Sequence, residues 1–199
     1  MKDDKLIVMK LYTLTTRPLK KDEYRQVIEH LNNGFVTKSG QVFKPNKQIS
    51  IILQLQASLG LRIGDVLELR VNSIKNGKLE TIEEKTGKIV SREINPAVVG
   101  FVKDYAIEKA LSPTDKLFEI SVRAVQKQLK IVVDYLGLDN ISTHSFRKMF
   151  ATAVYNDNGR DIKLVQEILN HTSVSTTERY IRANQFQIDR ASSKINFVI

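Results

Sequence analysis

The sequence predicts one α+β domain, mainly helical, with a small three-stranded antiparallel sheet packed at the edge of a helical core. Over most of the chain, apolar residues recur every three or four positions, which is the spacing of amphipathic helices. Between Val71 and Ile94 the period shifts toward alternation, and turn signals occur at Asn76-Gly77 and Thr86-Gly87. At 199 residues the chain is long enough for one well-packed domain and too short for two full-sized ones.

Two helices are predicted before the sheet at positions that the local sequence marks clearly. The first runs from about Leu19 to Asn32, and after a polar loop the second opens at Pro45-Asn46. The apolar residues of the second helix, from Ile49 to Leu59, cover more than one face, which predicts a central place in the core. Gly60 suits the left-handed position that ends a helix.

Short elements flank the predicted sheet on both sides. A tight turn leads into a short helix over Leu61–Leu69 and places Arg62 at the junction. After the sheet, Asn95-Pro96 combines an N-cap with proline at the first helical position, so another helix is expected to start there. This helix is expected to end near Ala110.

The next two helices are predicted from their caps. Ser121 caps a helix that Gly137 closes, and Ser142 or Thr143 caps one that ends near Gly159. Both segments carry apolar residues at helical spacing.

The last two predicted helices are shorter. Asp161 caps the first of them. Ser175 and Glu178 form an S-x-x-E capping box for the final helix, which then carries Tyr180 in its first turns.

The charge of the chain favours a polyanion as partner. Its 31 Lys+Arg exceed its 22 Asp+Glu, which gives a formal net charge of +9. Because 42% of the residues are hydrophobic, this is a folded cationic protein rather than a disordered basic tail. A basic surface that serves only solubility fits the composition equally well.

The composition also bears on the compartment. The chain contains no cysteine, so disulfides and thiolate metal sites are excluded. No apolar run reaches the roughly 20 residues that span a bilayer, and the first five residues do not lead into a signal-peptide core. We expect a cytoplasmic, soluble protein without a membrane partner.

Four short motifs occur in order along the chain. They are Leu59-Gly60-Leu61-Arg62-Ile63-Gly64-Asp65, His144-Ser145-Phe146-Arg147, Leu169-Asn170-His171-Thr172-Ser173 and Thr176-Thr177-Glu178-Arg179-Tyr180. In order and in approximate separation they resemble the catalytic boxes of the tyrosine recombinases of the phage-integrase family. The resemblance implies the tyrosine-recombinase catalytic fold and a site-specific DNA recombinase, an enzyme that cleaves and rejoins strands through a 3′-phosphotyrosine.

The resemblance assigns Arg62 and Arg147 to a phosphate clamp. In-line displacement at a phosphodiester spreads negative charge that must be stabilised electrostatically. Guanidinium groups suit this task because each is permanently charged and grips two oxygens at once. Arg62 could instead form a salt bridge to Asp65 or Glu68. In the family an acidic residue at the position of Asp65 orients the arginine, so the two roles are compatible.

His144 and Arg147 stand three positions apart and therefore share one helix face. His144 falls at or just after the helix cap, where the positive end of the dipole disfavours imidazolium. A neutral ring is able to accept a proton from the nucleophile or to hydrogen-bond the phosphate. The alternative is a histidine that only satisfies the helix start.

The resemblance makes Tyr180 the nucleophile and His171 a support that contacts the phosphate. A tyrosine hydroxyl is a weak nucleophile at neutral pH unless a base and nearby cations assist it. Outside the motif, Tyr180 would be interpreted as a helical tyrosine packed on the core, and His171 as a C-terminal cap.

A lysine on the hairpin of the sheet completes the family's set, as the donor of a proton to the departing 5′ oxygen. The run from Glu83 to Lys88 offers Lys85 and Lys88, and Lys85 matches the K-T-G turn of integrases better. Both lysines could instead be solvated turn residues. No cofactor or metal is expected, since the covalent link retains the energy of the phosphodiester and no Walker loop or metal-binding pattern is present.

Further contacts with DNA are expected from Lys and Arg side chains that bind phosphates, with salt-sensitive affinity and little sequence information. Three candidates follow one another on one predicted helix as a groove-facing strip, although a solvated surface is an equal alternative for each. The candidates are Lys88, Arg92, Arg123, Lys127, Lys130, Lys148 and Arg179.

We expect residues 1–17 to form an arm or linker, 18–182 the catalytic domain, and 183–199 a tail that packs in cis or in trans. The expected partner is double-stranded DNA, on which the resemblance implies a homo-oligomer that is tetrameric in the synapse, with a monomer as the alternative in the absence of DNA. Two alternative functions are a non-catalytic DNA-binding regulator and a type IB topoisomerase-like nicking-closing enzyme. The tyrosine argues against the regulator, because binding alone does not require it.

Overall fold

The computed structural model describes residues 16–37, 39–82 and 87–181. Residues 1–15 of the predicted arm over 1–17, the whole predicted tail over 183–199, and Lys85 lie outside these residues. Within the described ranges, no helix is long and apolar enough to cross a membrane.

The described part of the chain contains eight α-helices, a 3-10 helix at Val71–Ser73 and two small antiparallel sheets. In chain order the helices are α1 Lys21–Asn33, α2 Lys47–Leu59, α3 Ile63–Leu67, α4 Pro96–Glu108, α5 Val122–Tyr135, α6 Thr143–Asp157, α7 Ile162–Ile168 and α8 Val174–Ile181. The strands are β1 Phe35–Val36, β2 Val42–Phe43, β3 Ile74–Lys75, β4 Lys78–Ile82 and β5 Ile89–Glu93. The predicted class, mainly helical with a three-stranded antiparallel sheet, is confirmed.

The chain divides into two compact units, residues 1–150 and 151–199, with the boundary inside α6. The first unit holds a large apolar core to which α1, α2 and α5 contribute. The β3–β5 sheet adds Ile74, Leu79 and Val90 to this core. In the second unit, α7 packs against α8.

Helix α2 has the limits and the burial that its sequence predicts. The Asn46 side chain caps the helix by accepting a hydrogen bond from the Ile49 amide at 3.2 Å. Gly60 ends the helix in the left-handed conformation, with φ +62°. Ile52 and Leu53 are both 0% exposed although they are neighbours in sequence, which confirms a central helix buried on more than one face.

The three-stranded sheet has the order β3-β4-β5 and is antiparallel throughout. Asn76 and Gly77 form the β3–β4 turn with φ values of 51° and 77°. A two-residue hairpin loop of this kind needs positive φ at both positions, which Asn-Gly adopts readily. Across β4 and β5, Leu79 faces Arg92. This register places Arg92 of β5 beside the buried Leu79 of β4.

One short hairpin was not predicted. In the expected polar loop after α1, strand β1 pairs with β2, and Phe35 lies opposite Phe43. Strands of two residues are too short to show a period in the sequence. The aromatic rings of the pair stack at 4.8 Å between centroids, which supplies packing that the loop interpretation overlooked.

The predicted capping box of the last helix is wrong by two residues. Helix α8 begins at Val174, so Ser175 lies inside it. Ser173 precedes the helix, and its Oγ accepts from the Thr176 amide at 3.4 Å. The serine that precedes the first helical residue is the one positioned to meet the free amides of the first turn.

Arg17 fastens the start of the described chain to α1. Its Nη1 and Nη2 donate to the two carboxylate oxygens of Glu23 at 2.6 and 2.8 Å, and the Lys20 amide donates to Glu23 Oε2 at 2.9 Å. Burial acts to raise the pKa of Glu23, but the hydrogen bonds and charges of Arg17 and Lys20 outweigh it and hold that pKa below its usual value.

We predict that Glu23→Gln lowers the free energy of unfolding at pH 7 by about 1–3 kcal/mol, because it removes a charged hydrogen-bond acceptor from a buried site. The pKa of Glu23 is lower in the folded than in the unfolded protein. Its contribution is therefore present above the ordinary carboxyl pKa of 4.5 and is lost as the pH falls through the folded-state pKa. Urea unfolding from pH 7 to pH 3 measures this. Glu29→Gln, on the exposed side of α1, is the control, and an equal effect of both changes would contradict the prediction.

Candidate active site

Ser142 caps α6 and fixes the start of the helix around His144. The Ser142 Oγ accepts from the His144 amide at 3.2 Å, and the Ser145 Oγ accepts from the Ser142 amide at 3.1 Å. This reciprocal pair decides between the two predicted caps in favour of Ser142. His144 is exposed in the first turn of α6, at the positive end of the helix dipole, which is the position predicted from the sequence.

Arg147 lies one turn further along α6 and is buried, with 1% exposed. Its Nη1 donates to the Gly60 carbonyl at 2.8 Å. Gly60 follows the last residue of α2, so the guanidinium contacts the negative end of that helix, where carbonyl groups lack helical partners. A carbonyl is a neutral acceptor, and this hydrogen bond orients the guanidinium without cancelling its charge.

Arg62 lies two residues beyond Gly60, immediately before α3. Its Nη1 is 3.9 Å from Oδ2 of Asp65, whose carboxylate is buried. The Arg62 side chain is 24% exposed, so part of it reaches the surface. The predicted ion pair between Arg62 and Asp65 is present, and its role in orienting Arg62 toward a phosphate stays a prediction.

Arg92 is directed into the protein, which differs from the predicted DNA contact. Its Nη2 donates to the Leu59 carbonyl, and its guanidinium carbon lies 5.2 Å from the centroid of the Phe150 ring. Burial first, and the charge of Arg147 second, lower the pKa of Arg92 to about 10. The physical reason is the strand period, because Arg92 shares a face with the buried Val90. We therefore leave Arg92 out of the proposed DNA-binding surface.

Lys148 is also directed inward and is only 8% exposed. Its Nζ donates to the Thr16 carbonyl, and burial lowers its pKa. The turn of α6 from Ser145 to Lys148 is buried throughout, so Lys148 does not stand on an exposed face of the helix. Lys148 ties the segment before α1 to α6, and we leave it out of the DNA-binding surface as well.

The second unit holds a cluster of His171, Thr177 and Tyr180. His171 Nδ1 lies 3.0 Å from Thr177 Oγ1, and both side chains are buried. The rings of His171 and Tyr180 meet edge to face, with centroids 4.8 Å apart and an interplanar angle of 69°. The hydroxyl of Thr177 therefore orients the imidazole that contacts Tyr180.

The other predicted DNA-binding residues are exposed. Arg123, Lys127 and Lys130 follow one another along α5, and Lys130 forms an ion pair with Asp134. Exposure of this kind is compatible with phosphate contacts. Two more exposed candidates, Lys88 before β5 and Arg179 on α8, complete this set.

The first unit thus brings to one turn three arginines that are far apart in sequence. They lie at or beside the end of α2 and are Arg62, Arg92 and Arg147. Of these, Arg62 and Arg147 form a pair of guanidinium groups that suits an oxyanion such as phosphate, whereas Arg92 is directed into the protein. No group of three or more His, Asp or Glu side chains in the described residues is arranged to hold a metal ion.

Sequence reasoning missed two parts of this arrangement. One is the contact of Thr177 with His171, and the other is the inward direction of Arg92. Both had a signal in the sequence. Thr177 precedes Tyr180 by three residues on one helix face, and Arg92 follows Val90 by two on one strand face.

The fold is that of a tyrosine-recombinase catalytic domain. The crystal structure of XerA recombinase is similar, with a TM-score of 0.68 and 20% sequence identity, over 92% of this chain and 64% of that chain. The catalytic domain of bacteriophage HP1 integrase has a TM-score of 0.60 at 16% identity, over 89% of this chain and 94% of that chain.

The profile of the phage integrase family matches residues 17–186, and the chain belongs to this family, as predicted. Tyrosine recombinase XerC of Caldanaerobacter subterraneus subsp. tengcongensis is 30% identical over 154 residues, which cover 72% of this chain and 43% of the relative. The probable integrase/recombinase YoeC of Bacillus subtilis (strain 168) is 30% identical over 156 residues, which cover 75% of this chain and 85% of the relative. The chain spans about half the length of its XerC relatives: the match covers 43% of the Caldanaerobacter protein and 53% of the XerC of Natranaerobius thermophilus.

Proposed function

We propose that the chain is a site-specific DNA recombinase that cleaves and rejoins strands through a 3′-phosphotyrosine at Tyr180. The observation that carries the proposal is the pair of guanidiniums after α2, where Arg147 is held by the Gly60 carbonyl at 2.8 Å and Arg62 lies two residues away. A fixed pair of cations is what in-line displacement at a phosphodiester needs. Membership of the phage integrase family supports the same assignment.

In the proposed reaction the Tyr180 hydroxyl oxygen attacks phosphorus, its O–P bond forms and the bond from phosphorus to the 5′ oxygen breaks. His144 takes the proton of the phenol, and Lys85 gives a proton to the departing oxygen. Arg62 and Arg147 stabilise the charge that develops on the non-bridging oxygens. Attack by a 5′ hydroxyl of another strand then reverses the step and releases recombinant DNA.

Three further residues support this chemistry in the proposal. Asp65 orients Arg62 through the observed ion pair. His171 contacts the ring of Tyr180 and helps to hold the phosphate. The Thr177 hydroxyl keeps the imidazole in place.

Double-stranded DNA is the proposed partner, and the exposed residues of α5, Lys88 and Arg179 are its proposed phosphate contacts. A similar fold is found in the structure of the XerH site-specific recombinase bound to its palindromic difH substrate in a post-cleavage complex, with a TM-score of 0.67 at 21% identity. We propose a tetramer at the synapse, because exchange between two duplexes breaks four strands and each break needs one Tyr180. We also propose that the protein acts in the cytoplasm.

The test uses a pool of nicked suicide duplexes with randomised sequence around the nick, so that the reaction itself selects the target. Protein and DNA are incubated and separated on a denaturing gel, and DNA from any shifted band is sequenced. A covalent adduct enriched in one sequence supports the proposal. Sequence-specific binding without an adduct would indicate the regulator. Relaxation of supercoiled plasmid without exchange between two sites would indicate the topoisomerase-like enzyme.

We predict that Thr177→Val slows adduct formation about tenfold, because it removes the hydroxyl that meets His171 Nδ1 at 3.0 Å while keeping the shape of the side chain. The free energy of unfolding is expected to fall by about 1–3 kcal/mol, since a buried ring nitrogen loses a partner. Thr177→Ser is the matched control, for it keeps the hydroxyl and loses only a methyl group. Thr177→Ser is therefore expected to form the adduct faster than Thr177→Val. If Thr177→Val formed it at the wild-type rate and Thr177→Ser more slowly, the role of the Thr177 hydroxyl in orienting His171 would be contradicted.

A further inference from the structure

The turn after α2 is held by three side chains that come from three different elements. Gln56 of α2 and Arg147 of α6 are buried, and Arg92 of β5 is partly buried. Each of the three donates to one of three successive backbone carbonyls. The hydrogen bonds are those from Arg92 Nη2 to Leu59, from Arg147 Nη1 to Gly60 at 2.8 Å, and from Gln56 Nε2 to Leu61 at 3.4 Å. Arg92 therefore holds the carbonyl next to the one that orients Arg147.

The ring of Phe150 packs on the middle residue of this turn. A Cβ placed on Gly60 would lie 2.2 Å from Phe150 Cδ1, so the ring lies directly on the glycine backbone. The guanidinium carbon of Arg92 lies 5.2 Å from the centroid of the same ring. Arg92 thus contacts both the carbonyl before Gly60 and the ring that packs on Gly60.

Gly60 sets the direction of its own carbonyl less firmly than another residue would. Its φ is +62°, and glycine has the widest choice of backbone angles of any residue. The direction of this carbonyl is therefore fixed by the groups around it, and Arg92 contacts two of them. The same carbonyl orients the guanidinium of Arg147, and Arg62 follows two residues later.

The contact made by Arg92 has an electrostatic cost. Burial, together with the charge of Arg147, lowers the pKa of Arg92 to about 10, so Arg92 is cationic at neutral pH. A methionine in its place would fill similar space without like-charge repulsion, and replacing a buried charge in this way is often neutral or stabilising. Stability alone therefore does not account for an arginine here. A rigid, forked cation that reaches a carbonyl and a ring together does account for it.

We propose that Arg92 is a positioning residue of the phosphate clamp. It holds the Leu59 carbonyl and the Phe150 ring, and through them it fixes the Gly60 carbonyl that orients Arg147. This inference rests on the proposed function, in which Arg147 stabilises the charge on the non-bridging oxygens. A misplacement of about 1 Å costs a catalysed reaction up to about 100-fold in rate. Loss of Arg92 therefore slows strand cleavage and leaves the affinity for DNA unchanged.

Arg92→Met removes the donor and the charge and keeps a side chain of similar length. We expect single-turnover cleavage at saturating protein to be about 10–100-fold slower than in wild type. The melting temperature is expected to stay within about 4 °C of wild type, because the lost hydrogen bond is offset by the relief of charge repulsion. Arg25→Met, on the exposed side of α1 in the same unit, is the matched control and is expected to cleave at the wild-type rate. Arg92→Gln is the second variant if Arg92→Met does not fold.

A double-mutant cycle tests whether Arg92 acts through Arg147. If it does, adding Arg92→Met to Arg147→Lys slows cleavage by less than about threefold, because the group to be positioned is already gone. Two single effects that multiply in the double variant would overturn the inference, as would cleavage by Arg92→Met at the wild-type rate. A salt dependence of DNA binding that is lower by about one phosphate contact in Arg92→Met would overturn it in favour of direct DNA binding.

NMR of the arginine side chains measures the positioning without a reaction. The Nε–Hε signal of Arg147 is assigned by its loss in Arg147→Lys, and its order parameter reports how firmly the guanidinium is held. We expect this order parameter to fall in Arg92→Met and to keep its wild-type value in Arg25→Met. An unchanged value in Arg92→Met would overturn the inference alone. Absence of an adduct with wild type would overturn the proposed function, and the NMR comparison would still decide whether Arg92 orients Arg147.

Discussion

Replacing Tyr180 with phenylalanine is expected to abolish the covalent protein–DNA adduct while DNA binding persists. The change removes the hydroxyl oxygen that attacks phosphorus, and no other atom of the ring can form that bond. The aromatic ring is kept, so its edge-to-face contact with His171 at 4.8 Å is kept too. The free energy of unfolding is therefore expected to stay within about 1 kcal/mol of wild type.

Denaturing gels of the suicide-substrate reaction measure the adduct, and filter binding measures affinity on the same DNA. Tyr155→Phe is the matched control, since Tyr155 is partly exposed on α6 in the same unit as Tyr180. Wild type and Tyr155→Phe are expected to form the adduct equally. An adduct with Tyr180→Phe at more than trace level would assign the nucleophile to another residue.

Arg147→Lys is expected to lower the single-turnover cleavage rate by about 10²–10³-fold, the usual effect of removing one group that stabilises charge in the transition state. Arg147 donates to the Gly60 carbonyl through Nη1, and this hydrogen bond fixes the plane of a guanidinium that carries five N–H groups in all. A lysine ammonium is a single point charge and cannot reproduce this fixed orientation. The loss should appear in the cleavage rate more than in the affinity for DNA.

Cleavage rates at saturating protein separate chemistry from binding in this comparison. Arg25→Lys is the control, because Arg25 is exposed on α1 in the same unit and the same charge is kept. We expect its rate to equal that of wild type. A rate for Arg147→Lys within tenfold of wild type would contradict the clamp.

The sequence predicted those parts of the fold that local chemistry specifies. Asn46 and Gly60 mark the ends of α2 because each satisfies backbone groups that a helix end leaves without partners. Asn76-Gly77 marks its hairpin because only certain residues adopt two successive positive φ values. The hairpin β1–β2 depends on tertiary packing of aromatic rings, which no local pattern reports.

Burial of charged residues was the harder part of the site to predict. Arg147 was assigned from its motif, and its depth in the protein was not foreseen. Arg92 and Lys148 were chosen for their charge, although Arg92 stands on the strand face of Val90. The burial of Lys148 could not be predicted from the residue pattern in the same way. Its helix turn is buried on all sides, so no alternation of polar and apolar residues separates a buried face from an exposed one.

The partners of Arg92 suggest why a helix end serves this site. Carbonyl oxygens at the end of α2 accept hydrogen bonds from both Arg92 and Arg147. A carboxylate in the place of the Gly60 carbonyl would also orient Arg147, but it would offset more of the positive charge that is proposed to meet the phosphate there. The end of a helix supplies orientation together with only a partial negative charge.

The proposed function depends above all on Tyr180 becoming joined to the 3′ phosphate of a broken strand. The most direct measurement is mass spectrometry of the adduct after nuclease and protease digestion, combined with labelling of the released DNA end. We predict a nucleotide attached through its 3′ phosphate to the peptide that contains Tyr180, and a free 5′ hydroxyl that polynucleotide kinase labels without phosphatase treatment. A nucleotide on any other residue, or a link to a 5′ phosphate, would contradict the proposed function.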